Sequence, residues 1–467
     1  MGKLSPFLII GILCIAATIS HAQVGIGTLA PKESAILDLE STSKGLLLPR
    51  MTGSQREAIT NPVAGLVIWC TNCGDFGEMQ VYNGMDWTNT TGGVSSNFIY
   101  QQGEIDGEAA NDQSGTSVSM SADGNRMAIG SPGDSYVRIY EWDGNAWNLL
   151  GNDIEEAVIL FGSSVSLSGD GNRVAIGAPG SFENGIDSGQ GRIYEWNGNT
   201  WNLLGNDIDG EEASALFGSS VSLSGDGNRV AIGAPGFNNN GRVRIFEWDG
   251  NAWNLLDVGI NGGHGDELGT SVSMSADGNL VAIGSPGYDN SSGNSLGNIQ
   301  IYTWTGEWAF LTQVNGEVTN SDGGTSVSLS ADGNRVAIGA PGFNGNTGYV
   351  QIYEGSGNTW SILGNNIEGA AANDFSGTSV SLSADGNRVA IGAPVEPGIL
   401  GNGTARIYEW NGTAWNLLGN DIEGEANQDL CGTSVSMSGD GIRMAVGAPG
   451  NDEIGSNAGH VRIYVIE

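Results

Sequence analysis

Short runs of alternating polar and apolar residues, separated by glycine-containing turns, fill most of the chain. Residues 164–168 read Ser-Val-Ser-Leu-Ser, and a Gly-Asp-Gly-Asn turn separates them from the apolar run 173–178. Alternation with a period of two predicts β-strands, and Asp-Gly suits a tight hairpin. Two more strands are predicted at 192–196 and 201–204. Because the pattern carries no apolar stripe with the period of a helix, we expect an all-β fold.

This four-strand pattern occurs seven times. The run GSSVSLSGDGNRVAIGAPG at 162–180 recurs unchanged at 218–236, and close variants occupy five other places. The aspartates of the first turn lie 47 to 56 residues apart, a period that suits one four-stranded propeller blade. Small residues on the second strand, such as Ala175 and Gly177, suit blades that pack face to face. The sequence therefore predicts a seven-bladed β-propeller.

The two ends of the repeat region predict how the ring closes. The last repeat stops at a third strand, 460–466, whereas residues 97–105 have the pattern of a fourth strand. We expect this N-terminal strand to complete the last blade, since closure removes a free sheet edge. The predicted propeller spans 96–467, and residues 23–95 form a small, β-rich N-terminal module.

Residues 1–22 have the features of a cleaved secretory signal peptide. Lys3 supplies the positive charge, residues 6–20 the apolar core, and Ser20-His21-Ala22 a small-x-small cleavage site. The apolar run is too short to span a bilayer comfortably, and we expect no other stretch to insert into a membrane. The sequence thus predicts a protein that is secreted or displayed on the cell surface.

The balance of charges limits the classes of partner. With 52 acidic and 17 basic residues the formal net charge is -35, which would repel nucleic acid and anionic membranes. We interpret most of this charge as serving solubility. The expected partner is an extracellular protein or a polysaccharide.

Cysteine and histidine are scarce. Cys70 and Cys73 form a CTNC pair that could close a small disulfide loop in an oxidising compartment, and Cys431 stands alone. A zinc site would need further ligands, and the only histidines are His21, His264 and His460. We therefore expect no zinc site and no cofactor.

The repeat resembles the FG-GAP repeat of integrin-α-like propellers. Phe161-Gly162 and Phe217-Gly218 provide the FG, and Gly177-Ala178-Pro179 and Gly233-Ala234-Pro235 provide the GAP. Members of that family are generally extracellular and serve adhesion and ligand binding, so the resemblance implies a similar role here.

The turn aspartates are the candidates for calcium ligands. Calcium-binding blades of the resembled family carry a D-x-[DN]-x-D-G-x-x-D loop, whereas the second repeat has Ser166, Ser168 and Asp170 in a loop one residue shorter. Calcium takes six to eight oxygen ligands, several of them carboxylates. We therefore interpret the aspartates as shaping their turns and expect no metal there. They are Asp123, Asp170, Asp226, Asp277, Asp332, Asp385 and Asp440.

A second resemblance covers residues 23–92. The segments Val24–Thr28, Lys44–Met51 and Tyr82-Asn83-Gly84, followed by Trp87, look like the N-terminal module of many secreted proteins of Bacteroidetes-type bacteria. Related segments occur in tail-fibre-like proteins. The resemblance implies a bacterial exported protein with an oligomerising or attachment module, and it names no activity.

One charge pair repeats with the blades. The second strand begins with an arginine and the third carries a glutamate, but the fourth repeat has Leu280 and Thr303 instead, and the last has Val465 in place of the glutamate. Loss of both partners together predicts a cross-strand pair that builds the blade. The arginines are Arg126, Arg173, Arg229, Arg335, Arg388 and Arg443, and the glutamates are Glu141, Glu195, Glu247, Glu354 and Glu409.

Ligand binding is expected where the repeats differ. The loops between second and third strands are rich in Asn, Gly and Ser, and the loops entering each first strand form another group. These residue types suit sugar hydroxyls or a protein loop, and they equally suit plain solvated turns. The candidate ligand-binding residues are Phe237, Asn239, Tyr288, Asp289, Asn344, Asn373 and Asp374.

Catalysis has one candidate group that breaks the repeat, His264 with Asp266 and Glu267. No nucleophile motif or metal-ligand spacing accompanies it, so we expect a protein that is not an enzyme. Three functions remain open: a surface binding or adhesion protein, a structural component of a surface assembly, and a polysaccharide-active enzyme on a propeller scaffold.

Overall fold

The computed structural model describes residues 24–26, 37–39, 47–60, 62–71, 78–82, 87–89, 99–289, 296–316, 318–395 and 401–466. The chain divides into two compact units, Met1–Val94 and Ser95–Glu467. The predicted signal peptide and Cys73 lie outside the described residues. Within the described ranges, no helix has the length and apolar character that crossing a bilayer requires.

The described residues of the N-terminal unit form two small sheets. Two parallel strands, Val24–Ile26 and Leu37–Leu39, form one of them. The other places four strands in chain order: Arg50–Met51, Val67–Cys70, Glu78–Tyr82 and Trp87–Asn89, with a helix at Gly53–Glu57 between the first two. A buried arginine of the unit, Arg56, donates a hydrogen bond to Gln80 Oε1 over 2.8 Å. Cys70 is disulfide-bonded.

The second unit consists of antiparallel sheets whose four main strands follow one another from the inner to the outer edge. The described residues contain seven such sheets, which we number as blades one to seven in the order of their first strands. The first strands are Ser117–Met120, Ser164–Leu167, Ser220–Leu223, Ser271–Met274, Ser326–Leu329, Ser379–Leu382 and Ser434–Met437. The second strands are Arg126–Ser131, Arg173–Ala178, Arg229–Ala234, Leu280–Ser285, Arg335–Ala340, Arg388–Ala393 and Arg443–Ala448.

The outer half of each blade is a second hairpin. The third strands are Tyr136–Trp142, Gln190–Trp196, Arg242–Trp248, Asn298–Trp304, Tyr349–Ser356, Thr404–Trp410 and His460–Ile466. The fourth strands of blades one to six are Trp147–Leu149, Trp201–Leu203, Trp253–Asn261, Trp308–Asn315, Thr359–Ile362 and Trp415–Glu423. Three blades add a short strand, Ile154–Glu155, Ile208–Asp209 and Ile367–Glu368, and short helical turns lie at Phe237–Asn239 and Phe343–Asn346.

The fourth strand of blade seven comes from the other end of the repeat region. Ile99–Asp106 pairs antiparallel with His460–Ile466, and Asp106 lies opposite His460. The predicted closure by an N-terminal strand is confirmed. The all-β propeller prediction is confirmed with it.

Serines of the first strands join neighbouring blades. The Ser164 hydroxyl donates to the Gly218 carbonyl of blade three over 2.9 Å, and Ser166 Oγ accepts a hydrogen bond from the Leu223 amide over 3.0 Å. Both bonds recur at every blade boundary, including the one between blades seven and one. The polar positions of the alternating strand therefore bond one blade to the next.

A closed circle of backbone hydrogen bonds lies at the first turns. The residue that precedes each turn aspartate donates its N–H to the carbonyl of the matching residue in the next blade, over 2.8 to 2.9 Å. The circle runs through Ala122, Gly169, Gly225, Ala276, Ala331, Ala384 and Gly439, and returns to Ala122. Only small residues occupy this position.

Close contact between blades explains the glycine of the GAP motif. A Cβ on Gly177 would lie 2.0 Å from the carbonyl oxygen of Gly218, the FG glycine of the next blade. Gly218 itself has a φ of 90°, a conformation that side chains other than glycine rarely adopt. The FG and GAP glycines are thus two sides of one contact between blades.

Apolar side chains fill the remaining space between blades. Val137 and Ile139 of blade one belong to the same buried cluster as Val174 and Ile176 of blade two. Paired tryptophans, such as Trp196 and Trp201 with ring centres 5.4 Å apart, add bulk at the outer hairpin. Each blade boundary has its own core, as face-to-face packing requires.

Candidate functional site

Loops at one end of the propeller form a single surface. Variable loop 181–190 hydrogen-bonds to the connector that enters blade three: the Ser214 amide donates to the Ile186 carbonyl over 2.8 Å, and the Leu216 amide to the Asp187 carbonyl over 3.0 Å. Equivalent backbone bonds join loops and connectors around the ring. The two groups of loops that the sequence separated are therefore interleaved. We call this surface the loop end, and the opposite surface, with the aspartate turns, the turn end.

The loop end is held in an uncommon backbone conformation. Two positions before each FG-type glycine stands a residue other than glycine with positive φ, for example Leu160 at 60° and Leu216 at 55°. Such conformations cost energy and persist where surrounding contacts hold them. The connectors are consequently pre-shaped by the fold.

Four of the candidate ligand-binding residues lie in or beside variable loops, where their contacts are local. The Phe237 ring stacks against the Arg242 guanidinium, 4.8 Å from the ring centre. Exposed Asn239 places its amide nitrogen 3.5 Å from His264 Nε2. The Tyr288 carbonyl accepts hydrogen bonds from the Leu296 and Gly297 amides, and Asn344 is exposed with a φ of 50°.

The remaining candidates are Asp289, which is exposed, and Asn373 and Asp374, which lie in a connector. The Asp374 carboxylate accepts hydrogen bonds from the Ala370 and Ala371 amides, both over 2.8 Å. Asp112 and Asp429 form the same pair of bonds in their own connectors. Asp374 therefore shapes its loop. The structure spreads the seven candidates around the loop end and does not gather them into one pocket.

The histidine candidate for catalysis also lies at the loop end. His264 is exposed, and its ring approaches Asn239. Asp266 uses its carboxylate to accept a hydrogen bond from the Gly263 amide over 2.7 Å. This aspartate is thus engaged in the turn that carries His264.

The turn aspartates accept hydrogen bonds within their own turns, three each in blades one to six and two in blade seven. Asp170 accepts from Ser168 Oγ over 2.6 Å, from the Asn172 amide over 3.0 Å and from Asn172 Nδ2 over 2.8 Å. Burial opposes ionisation of this carboxyl, but the three hydrogen bonds outweigh it and lower its pKa. The aspartates in the first turns of blades one, three, four, five and six have the same balance and a lowered pKa.

The predicted cross-strand Arg–Glu pairs are confirmed in five blades. In blade two, Arg173 Nε donates to Glu195 over 2.9 Å. The same guanidinium donates to the Gly227 carbonyl and to Asn228 Oδ1 in the turn of blade three, over 3.1 and 2.6 Å. The arginine therefore joins two blades as well as two strands, which the sequence comparison did not predict.

A second row of arginines was missed by the sequence analysis. Arg138 pairs with Asp153 through two hydrogen bonds of 2.9 and 2.6 Å and also contacts Glu108 of the connector at 2.7 Å. Arg192 and Arg406 form similar pairs with Asp207 and Asp421. The signal was present in the third strands, where Arg-Ile-Tyr or Arg-Ile-Phe occurs in five blades and Gln-Ile-Tyr in blades four and five.

Beside this row, a cavity of about 260 Å³ lies between blades two and three, lined by Asp207, Arg244 and Trp253 among others.

Exposed apolar residues gather at the loop end of blade two. Ile186 is 71% exposed and Phe182 52%, both in the variable loop. Ile159 and Leu160 of the preceding connector and Leu216 of the following one are also exposed. A Cβ on Gly180 would lie 2.9 Å from the Ile159 side chain, and Leu216 bonds to the backbone of the variable loop, so the three segments adjoin. We call these five residues the blade-two patch.

Comparison with known families agrees with this geometry. Residues 423–465, in the connector and the first three strands of blade seven, match the FG-GAP repeat. Blade seven of the propeller thus carries a repeat of the FG-GAP type. Residues 25–106 match the family described as a phage tail like trimerisation region, so the propeller follows a tail-like N-terminal module. No curated protein matches the chain.

Two solved structures illustrate the fold. Hydrazine synthase of Kuenenia stuttgartiensis is 14% identical with a TM-score of 0.50, and the match covers 72% of this chain and 94% of that one. The β-propeller domain of Swd1 from Myceliophteria thermophila is 11% identical with a TM-score of 0.53, covering 79% and 100%. At these identities the likeness concerns the propeller fold alone.

Proposed function

We propose that the chain is an exported binding protein that uses the loop end of its propeller to hold another protein. The blade-two patch is the observation that carries this proposal. It is an adjoining set of exposed apolar side chains in a polar, strongly acidic chain, and such patches mark interaction surfaces. The FG-GAP match and the propeller scaffold also favour a binding role.

The surroundings of the patch favour one kind of partner. Exposed Glu155 and Glu183 and the partly exposed Asp187 stand beside the apolar residues. Two of the nearby arginines, Arg138 and Arg192, are engaged by carboxylates. An apolar centre with an acidic rim suits a protein surface with apolar side chains and a basic rim.

The N-terminal module suggests how binding is strengthened. A trimerisation region would bring three loop ends into one particle, and linked sites gain avidity without any new contact. The chain with its predicted signal peptide has a mass of 48.3 kDa, so a trimer of such chains has a mass of about 145 kDa. Light scattering on the purified chain should give this mass. A mass of one chain would remove the multivalent part of the proposal and leave the single-site binding intact.

The test compares matched variants on a panel of purified extracellular and cell-surface proteins. Phe182→Ser combined with Ile186→Ser removes the centre of the patch. Ile442→Ser removes an apolar side chain of similar exposure at the turn end and serves as the control. We expect partners of the wild type to lose at least about tenfold in affinity with the double variant and to be unaffected by the control.

Three results would contradict the proposal. Partners that bind both variants equally would place the contact elsewhere on the chain. If the chain binds intact polysaccharides and no protein, the ligand is a glycan. Release of reducing sugar ends would reveal an enzyme and direct attention to His264 and the carboxylates near it.

A further inference from the structure

Blade seven differs from the other blades where the closing strand joins it. The first residue of the third strand is His460 in this blade, and Tyr, Gln, Arg, Asn, Tyr and Thr in blades one to six. Its neighbour across the sheet is Asp106 of the closing strand, and Glu104 lies two residues before Asp106. Alternate residues of a strand share a face, so Glu104, Asp106 and His460 face the same side.

The three side chains form a compact group. Their candidate ligand atoms all lie within 4.8 Å of one another, and His460 Nδ1 is 2.9 Å from Glu104 Oε1. The imidazole has no exposed surface, and among the described residues neither of its ring nitrogens makes a hydrogen bond. Asp106 Oδ1 is likewise buried without a hydrogen-bond partner in that part of the chain. Buried polar atoms normally find partners, so this group points to a ligand.

Comparison with the other blades shows why Glu104 is available. In blades one and six, the acid at this position pairs with the arginine of the third strand, as Asp421 does with Arg406. In blade seven that arginine is Arg462, which instead donates to the Glu423 carbonyl over 2.5 Å and contacts Cys431 Sγ at 3.4 Å. Glu104 therefore faces His460 without the arginine that its equivalents hold.

The charge balance at this position is negative. Glu425 of the connector and Glu453 of the variable loop form a second group with Glu104, again within 4.8 Å. Asp106 adds a further carboxylate beside the imidazole of His460. Crowded carboxylates beside an imidazole suit a cation.

We propose that Glu104, Asp106 and His460 bind a divalent transition-metal ion, with zinc as the fitting choice, and that the ion joins the closing strand to blade seven. Imidazole with carboxylate suits zinc, whereas calcium takes oxygen ligands alone. Around a tetrahedral ion with bonds of about 2 Å, ligand atoms stand roughly 3.3 Å apart, which small side-chain rotations would reach. The sequence analysis predicted no zinc site because it considered only cysteine and histidine as ligands. Glu104 and Asp106 complete a ligand set with His460 that this prediction left out.

The test measures zinc bound by the purified full-length chain, prepared with an affinity tag free of histidine. After equilibration with zinc chloride and dialysis, metal analysis should find about one ion per chain. His460→Gln and Asp106→Asn should each weaken binding at least about tenfold, as measured by competition with a chromophoric chelator. Zinc should also raise the melting temperature of the wild type, with reversal by chelator, and should raise that of both variants less at the same zinc concentration.

Two matched controls separate the site from general effects. Glu423→Gln changes the position equivalent to Asp106 in blade six, which has Thr404 where blade seven has His460. His264→Gln removes the exposed histidine. Both should bind zinc as the wild type does, and circular dichroism should show that all variants are folded. The proposal is overturned if the wild type retains no zinc, or if His460→Gln and Asp106→Asn retain as much as the wild type.

Discussion

The hydroxyl of Ser434 donates a hydrogen bond to the carbonyl of Gly115, 2.7 Å away. Ser434 begins the first strand of blade seven, and Gly115 immediately precedes blade one. The same bond links each blade to the next elsewhere in the ring, so the junction of the two chain ends is built like any other blade boundary. Closure therefore depends on side-chain bonds between blades as well as on the closing strand.

Removing this hydroxyl should cost about 1 kcal/mol, the usual contribution of one buried hydrogen bond. We expect Ser434→Ala and Ser220→Ala, the equivalent change between blades three and four, to lower the free energy of unfolding by similar amounts. Urea unfolding followed by tryptophan fluorescence measures both. A much smaller loss for Ser434→Ala would show that blades seven and one are not joined in solution.

The GAP glycine should tolerate no side chain. Gly177→Ala places a methyl group 2.0 Å from the Gly218 carbonyl oxygen, and the two blades would have to move apart. We expect a loss of about 3 kcal/mol or failure to fold. Gly198→Ala is the control, because no described atom lies within 4 Å of its added methyl group. Gly198→Ala should lower the free energy of unfolding by only about 1 kcal/mol, because alanine is strained at the φ of 95° that Gly198 adopts. Equal melting temperatures for the two variants would contradict the contact.

Much of this architecture could be predicted from the sequence, because repeated residues report what every blade needs. Alternation in residues 164–168 indicated a strand, and the joint loss of the arginine and the glutamate in blade four indicated their pairing. The sequence did not show which segment the serines of the first strands bond to. Alternation tells which residues share a face, but not that Ser164 and Ser166 bond to blade three.

The candidate sites were harder to predict, because they depend on contacts between distant segments. Leu216 and Ile186 lie in different loops and adjoin only through backbone hydrogen bonds. Glu104 and His460 stand near opposite ends of the repeat region and meet only because the ring closes. The alignment of residues 97–105 with the other fourth strands ended one residue before Asp106, and extending it by that residue would have placed Asp106 opposite His460.

The arginines of the second strands should matter more than their glutamates. Arg229 donates to Glu247 in its own blade and to the Gly278 carbonyl and Asn279 Oδ1 in blade four, all within 2.9 Å. Arg229→Met removes all three bonds and should cost about 1.5 to 3 kcal/mol. Glu247→Gln should cost under about 0.5 kcal/mol, because this carboxylate is 43% exposed and solvent screens its charge. Thermal unfolding of the two variants measures the difference. A larger loss of stability for Glu247→Gln than for Arg229→Met would mean that the Arg229–Glu247 pair contributes more than the bonds from Arg229 to blade four.

The turn aspartates should make stability depend on acid. Hydrogen bonds from Ser168 and Asn172 lower the pKa of Asp170 against the effect of burial. A lowered folded-state pKa gives stability that is present above the ordinary value for aspartate and is lost as the pH falls through the folded-state pKa. Asp170→Asn should therefore be less stable than the wild type near pH 7, by about 1 kcal/mol, and the difference should shrink below about pH 4.

A matched change in a turn with fewer hydrogen bonds is Asp440→Asn in blade seven. Ile442 stands where the other turns have asparagine, so Asp440 accepts bonds from Ser438 Oγ and the Ile442 amide and lacks the third. Urea midpoints near pH 7 should show a smaller loss of stability for Asp440→Asn than for Asp170→Asn, since fewer hydrogen bonds depend on its carboxylate, and midpoints of Asp170→Asn between about pH 3 and 7 follow the effect of acid. Because the comparison is with the wild type at each pH, the relief of general acidic repulsion cancels. A gap between wild type and Asp170→Asn that widens in acid would show that this carboxylate is not held in its charged form by the turn.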